Sequence, residues 1–448
     1  MTSHTEFKIT QSKAELSSHS GIALLGDIIH ACEFKKEVDK VHLHRRPNPE
    51  LRHGDVLATM TALLFLGKPD YDAVRPFHED VLLRKALGLS RVPSAETLRN
   101  RLDLADNRFD EVIRELSTTI IRRFGKPTPS YGEHVPLDID VTPFDNSGSH
   151  KEGVSRTYHK VDGYAPIMAY LGNEGYLVNL ELREGKTHSQ HEGDRFLSDS
   201  IGGARQITDA PLLVRMDSAH DALDNIKVCI KNKVDWLIKR NLRKEDPQAW
   251  FATAQEHGLS FQPREGKTVW RGSVFVDREA GGESDSEIEP EKLTLRIVFE
   301  VIERTSDRHG QLLLFPELEV NTWWTSFMCS EDTVTRLYHE HGTSEQFHSE
   351  LKTDMDLERL PSGKFSTNSL ILLLGMFAYN ALRLIGQCSL GLPAPLRRVV
   401  QRRRIRSVLQ DIVYVACRVV SHARQLVLSF GRNNRWYAVL KGLHAIFT

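Results

Sequence analysis

Two short stretches of this sequence place aspartates where α/β proteins do chemistry. In Leu137-Asp138-Ile139-Asp140-Val141-Thr142 the aspartates are two apart, so on a strand they share one face. In Leu213-Val214-Arg215-Met216-Asp217-Ser218 an apolar run ends in an aspartate ahead of a helical pattern. Ligand sites of α/β sheets lie at such carboxyl ends. Carboxylates delivered from neighbouring strands can bind two Mg²⁺ ions about 3.5–4 Å apart, one on each side of an in-line displacement at phosphorus. An aspartate at a strand end is also a common turn former or helix N-cap, so neither stretch decides the matter alone. Further on, Tyr338, Glu345 and Lys352 recur at seven-residue steps, which on one continuous helix would align them on one face.

The elements that must position these residues follow from periodicity. Alternation at 135–141 predicts a strand, and further strands are expected at 165–171, 176–182, 212–216 and 236–238. Helices are expected between them, around 192–200 and 219–231. This is an α/β layout with a mixed sheet. Short β-like runs at 268–276, 293–302 and 312–314, with an acidic loop at 277–291, read as a β-rich insertion. A strand at 325–328, a helix from Asp332 and a nearly all-apolar, buried helix at 368–385 are expected to resume the core. The region before it reads as helical, with Ile22, Leu25, Ile28, Ile29 and Cys32 at helical spacing and an apolar segment at 56–66. Ser94 is expected to cap a helix carrying Arg99 and Arg101, either a groove-binding helix or a solvated one.

Composition narrows the class. The 448 residues are 40% hydrophobic and 27% charged, as in soluble globular proteins of two to four domains. A formal net charge of -1 gives no global sign of a nucleic-acid partner. The positive charge is local: from Leu396 onward, Arg397, Arg398, Arg402, Arg403, Arg404, Arg406, Arg418, Arg424, Arg432, Arg435 and Lys441 face one acidic residue, Asp411. Trp436 and Tyr437 lie among them, and nucleic-acid contact is expected there. The five cysteines are far apart, without zinc-finger spacing, and read as reduced thiols. The first 20 residues lack a signal-peptide core and the apolar run at 370–378 is too short for a bilayer, so a cytoplasmic protein without a membrane partner is expected.

The segment from Tyr338 to Lys352 resembles the Y-x2-R-x3-E-x6-K signature of bacterial insertion-sequence DDE transposases. Tyr338, Glu345 and Lys352 fall on signature positions, and His341 stands where the signature has arginine. Asp140-Val141-Thr142 resembles the family's first catalytic strand, and Val214-Arg215-Met216-Asp217-Ser218 its second. Segments 149–153, 183–188 and 377–382 add to the likeness, which covers roughly 136–384.

The resemblance implies an RNase H-like mixed-sheet catalytic core interrupted by a β-rich insertion, with helical regions at both ends. The divisions would be 1–128 for an N-terminal DNA-binding region, 129–240 and 321–390 for the core, 241–320 for the insertion and 391–448 for a basic helical region. It implies Asp140, Asp217 and Glu345 as catalytic metal ligands for Mg²⁺, with Mn²⁺ able to substitute and two ions bound. Tyr338, His341 and Lys352 would contact DNA, although a histidine offers fewer donors than arginine. The implied activity is cut-and-paste transposition: strand cleavage at the terminal inverted repeats and transfer to target DNA, by a homodimer. Hairpin ends, where used, would draw on Trp323, Trp324 or Trp270, although each of them reads more readily as an ordinary core or sheet aromatic. Two rivals stand beside this reading. One is a transposase-derived DNA-binding protein without catalysis. The other is a metal-dependent hydrolase using His188, His191 and Asp194.

Overall fold

The alternating segment 135–141 does become a strand, and in the computed structural model it lies inside a nine-stranded sheet. The structure describes residues 7–42, 50–279, 292–422 and 425–448. The first five strands are β1 (Val135–Val141), β2 (Ile167–Leu171), β3 (Tyr176–Glu181), β4 (Leu212–Met216) and β5 (Asp235–Lys239). They are joined by β6 (Gly258–Arg264), β7 (Lys267–Glu279), β8 (Lys292–Ser306) and β9 (Leu312–Thr325). The order across the sheet is β6-β7-β8-β9-β5-β4-β1-β2-β3. β1 pairs in parallel with β4, and β4 with β5, whereas β2 and β3 run antiparallel. The carboxyl ends of β1 and β4 therefore lie side by side, which brings residues 140 and 217 to one edge of the sheet.

The insertion is not a separate body. Trp323, Trp324 and Thr325 of β9 pair with Lys239, Ile238 and Leu237 of β5, so the meander β6 to β9 extends the core sheet. The separate strand expected at 325–328 does not form, because β9 is one 14-residue strand ending at Thr325. Strand β6 and the helix Pro247–His257 before it were not anticipated. Of the expected acidic loop, residues 277–279 belong to β7 and 280–291 lie outside the described residues.

Helices cover the sheet. α1 (His53–Phe65) and α2 (Asp110–Phe124) come from the N-terminal region, followed by α3 (Gly193–Arg205) and α4 (Leu223–Lys231). α5 (Glu331–His341), α6 (Ser344–Ser349) and α7 (Phe365–Leu390) complete the set used below. At 26 residues α7 is long and apolar enough to cross a bilayer, yet its most apolar window is 94% buried inside the fold. It is a core helix, locked by Asn380, whose amide accepts from Leu177 N at 2.9 Å and donates to Leu177 O at 2.7 Å and Ser117 Oγ at 2.8 Å. One side chain thus joins α7, α2 and β3, and meets the hydrogen-bonding requirement of a buried amide.

The C-terminal region is helical only in part, at Ile405–Val408 and Tyr437–Phe447. Cys417–His422 and Gln425–Phe430 form an antiparallel hairpin, and Glu15–Ser17 adds a third strand, so both ends of the chain share a small sheet. Valines at 419, 420 and 427 favour extended backbone, and 419 faces the interior. The Ser94 cap forms as expected, accepting from Thr97 N at 3.1 Å. Its helix keeps its arginines occupied: Arg99 lies over the Tyr71 ring at 5.3 Å, and Arg101 reaches Leu51 O at 3.2 Å.

Candidate active site

Asp138 and Asp140 share a face of β1 but not an environment. Register sets Asp138 opposite Arg215 on β4. The guanidinium grips it bidentately, Nε to Oδ1 at 2.6 Å and Nη2 to Oδ2 at 2.7 Å, while Nη1 donates to Leu337 O of α5 at 2.9 Å. His341 Nδ1 takes Asp138 Oδ1 from the other side at 2.9 Å. Burial would raise the Asp138 carboxyl, but Arg215 and His341 outweigh it and hold it below the usual carboxylate range. Asp138 is therefore committed to tying β1, β4 and α5 together, and Asp140 is the member of the pair open to other chemistry.

Asp140 stands at the end of β1, partly exposed, with Oδ1 accepting from Val141 N at 2.8 Å. Its Oδ2 meets His348 Nε2 at 3.1 Å, and the other ring nitrogen of His348 meets the Tyr170 hydroxyl at 3.2 Å. Burial opposes ionisation here too, but the hydrogen bond and charge of His348, with His341 and His220 beyond it, keep Asp140 low. Asp217 follows β4 and accepts from Ala219 N at 3.0 Å, which makes it the cap of the short turn Ser218–His220. Burial raises its carboxyl; His220 pulls against the rise and the Asp140 charge adds to it. The two carboxylates thus stand at the ends of adjacent parallel strands, and the charge of Asp140 is felt at Asp217.

Tyr338 lies beside them, largely buried, its ring 5.6 Å from Trp323 and 5.8 Å from His341. Its phenol is raised by burial, then by the charges of Asp217 and Asp140. Tyr158 is raised by the same causes and donates to Val141 O at 2.9 Å. Lys352 donates to Pro143 O at 2.8 Å and pairs with Glu358 at 2.9 Å, just past the end of β1.

Glu345 is placed differently. It lies exposed on α6, one residue after Ser344, whose hydroxyl is 3.5 Å from Asp140 Oδ2. Among the described residues its side chain forms no hydrogen bond or ion pair. The single helix expected to align Tyr338, Glu345 and Lys352 is broken: α5 stops at His341, α6 starts at Ser344, and residues 350–354 form a π-turn. Gly342, a poor helix former, stands at the break. Among the described residues no three His, Cys, Asp or Glu side chains converge as a formed metal site. The structure sets Asp140 and Asp217 at the ends of adjacent parallel strands, packs Tyr338 against Trp323 and His341, and leaves Glu345 exposed on the adjoining helix, while His341 is buried against Asp138.

Sequence reasoning passed over His348, His220, Tyr158 and the structural role of Arg215. Arg215 carried a signal, since a charge inside an apolar strand demands a buried partner. His348 stands one heptad after His341, a spacing that carried no meaning until the helix break was known.

The alternative groups fare as follows. His188, His191 and Asp194 are all exposed and form no metal cluster among the described residues. Trp323 is buried on Tyr338; Trp324 donates to Asp221 at 2.8 Å beneath Arg240; Trp270 packs on Phe251 at 5.1 Å. Part of the basic tail is spent internally. Arg402 binds Glu350 at 2.8 Å, Arg403 binds Asp411 at 2.5 Å, and Arg404 and Arg406 both bind Asp354. Arg397, Arg398, Arg418, Arg432, Arg435 and Lys441 remain exposed; Arg424 lies outside the described residues.

With this geometry in view, the comparison with known families is decisive, because the sequence model of the transposase DDE domain group 1 matches residues 2–447. The chain belongs to that DDE transposase family. No curated protein matches the chain. Among solved structures it is similar to the piggyBac transposase synaptic complex with hairpin DNA, at 11% identity and a TM-score of 0.41, over 90% of this chain and 83% of that one. The transposase DDE assignment rests on the family match, which spans the whole described fold.

Proposed function

We propose that this DDE-family protein is a cut-and-paste DNA transposase that cleaves at the ends of its own bacterial insertion sequence and joins the freed ends to target DNA. The observation that carries the reading is the pairing of Asp140 and Asp217 at the ends of adjacent parallel strands. The order β3-β2-β1-β4-β5, with β2 and β3 antiparallel, supports an RNase H-like core.

The donor chemistry fits a divalent cation. Two carboxylates held against their mutual repulsion are relieved by a cation between them, and hard oxygen ligands suit Mg²⁺ or Mn²⁺. Asp140 and Asp217 would hold it, with Glu345 completing the set by turning in from α6 when DNA binds. Bound there, the metal would supply Lewis-acid stabilisation of the phosphodiester and an acidified water. A second ion belongs to the same proposal. The chain's own groups do the positioning. His348, backed by Tyr170, fixes the Asp140 carboxylate, and Arg215 with His341 fixes α5 against β1 and β4. Lys352 and Tyr338 would meet the DNA phosphates at the rim; His341 could reach one only by leaving Asp138. The exposed arginines of the tail would bind the backbone of the terminal inverted repeats, and a homodimer in the cytoplasm would hold two ends together.

A second reading, a transposase-derived DNA-binding protein, draws on the outward position of Glu345 and on His341 in place of arginine. One experiment separates the two. Purified protein is incubated in Mg²⁺ and in Mn²⁺ with a plasmid carrying the DNA that flanks its gene, beside Glu345→Ala. Cuts at the element ends by wild type alone are expected. Specific binding without cutting in either metal would establish the second reading, and equal cutting by both proteins would remove Glu345 from the site.

A further inference from the structure

His220 has no part in the carboxylate set proposed above, yet it is buried beside it. Its side chain is 1% exposed, and Nε2 has no hydrogen-bond partner among the described residues. An unpaired buried imidazole nitrogen is costly, so this one calls for an explanation. The position of the turn is built in. His220 N donates to Asp217 O at 3.2 Å, and Asn225 Nδ2 donates to His220 O at 2.8 Å from the start of α4. The Asp217 carboxylate in turn caps the same turn through Ala219 N. The backbone of the turn is therefore fixed at both ends, and it sets the His220 ring beside the Asp217 carboxylate.

The separation is informative. Nε2 lies 3.9 Å from Asp217 Oδ1, too far for a hydrogen bond. Two donors each about 2.1 Å from one cation can stand up to about 4.2 Å apart, so this spacing lies within the span of a shared metal. Asp140 supplies further negative charge near the ring.

We propose that His220 is a nitrogen ligand of the divalent cation held by Asp140 and Asp217. The proposal rests on the metal-dependent reading of the site and adds His220 to its ligands; among the described residues the three groups do not converge without the ion, so the cation would draw Asp140 towards Asp217 and His220. It also makes the site selective. An imidazole nitrogen favours Mn²⁺, Co²⁺ or Zn²⁺ over Mg²⁺, which prefers oxygen and water ligands.

The test is pulsed electron paramagnetic resonance of Mn²⁺ bound to the full-length, tag-free protein, with Mn²⁺ affinity measured in parallel. Wild type is expected to show nitrogen hyperfine coupling. His220→Gln should lose the coupling and weaken Mn²⁺ binding about tenfold or more. His220→Asp, which returns an oxygen ligand, should regain affinity without the coupling, and circular dichroism of both variants confirms folding. His348→Gln should keep the coupling. Mn²⁺ bound by wild type without nitrogen coupling would overturn the inference and leave the carboxylate site standing, with a water on Nε2. Coupling that survives in His220→Gln but disappears in His348→Gln would assign the nitrogen to His348 and likewise overturn it. Absence of Mn²⁺ binding by wild type would remove the metal-dependent reading as well.

Discussion

Replacing Arg215 with methionine tests how the carboxylate pair is held. The guanidinium makes two charge-assisted bonds to Asp138, at 2.6 and 2.7 Å, and a third to Leu337 O at 2.9 Å, all buried. Removing one member of a buried pair strands the other, a loss of about 3–5 kcal/mol. His341 remains on Asp138, so Arg215→Met should fall near the lower end, about 3 kcal/mol, a large share of the roughly 5–15 kcal/mol that holds a typical domain. Asp138→Ala should cost a similar amount by stranding Arg215. The double variant leaves neither charge unpaired, and its loss should be smaller than the sum of the singles by about 2 kcal/mol. Urea unfolding of the four proteins, with equal slopes as the check on comparability, measures that coupling. Additivity within about 0.5 kcal/mol would refute the reasoning, since it would mean that Asp138 and Arg215 do not share a buried environment.

Other consequences can be checked separately. His348→Ala should lower strand cleavage about tenfold or more by freeing the Asp140 carboxylate, and His348→Gln, which can still donate to Oδ2, should recover much of it; kinetic assays at matched thermal stability decide. Burial raises the Asp110 carboxyl from 3.8 to about 6, against Arg114. The folded protein then binds the extra proton, so stability present below pH 3.8 is lost as pH rises through about 6. Asp110→Asn should therefore gain about 1–2 kcal/mol at pH 8 and nothing at pH 3.5, allowing for partial exposure, as read from unfolding midpoints at both values. A Cβ on Gly163 would stand 1.8 Å from Phe144 O, a backbone atom that cannot yield. Gly163→Ala should cost about 3 kcal/mol, and an unchanged melting temperature would contradict the packing described here.

How much of this was legible depended on the range of the interaction. The strands at 135–141 and 212–216 were readable to the residue, because a local pattern dictated each, and Asp140 and Asp217 followed from them. The grip of Arg215 and His341 on Asp138 was not, since those partners are 77 and 203 positions away and meet only through the sheet register. The same limit hid the joining of β9 to β5. Glu345 was found by motif but its exposure was not, because seven-residue spacing says nothing about a break at Gly342. The arginines at 402, 403, 404 and 406 looked like a nucleic-acid surface because composition cannot show that Glu350, Asp354 and Asp411 neutralise them. The hairpin at 417–430 carried a readable valine pattern that the charge of the region overshadowed.

The central claim, that Asp140 and Asp217 together carry metal-dependent DNA cleavage, is tested most directly by end-labelled flanking DNA. It is incubated with wild type, Asp140→Asn, Asp217→Asn and Asp138→Asn, with and without a chelator, alongside DNA-binding and melting measurements. Asp140→Asn and Asp217→Asn should bind DNA and melt like wild type but leave the strand intact, whereas Asp138→Asn should lose stability first. Cleavage that persists in either of the first two variants, or in the presence of chelator, would contradict the account.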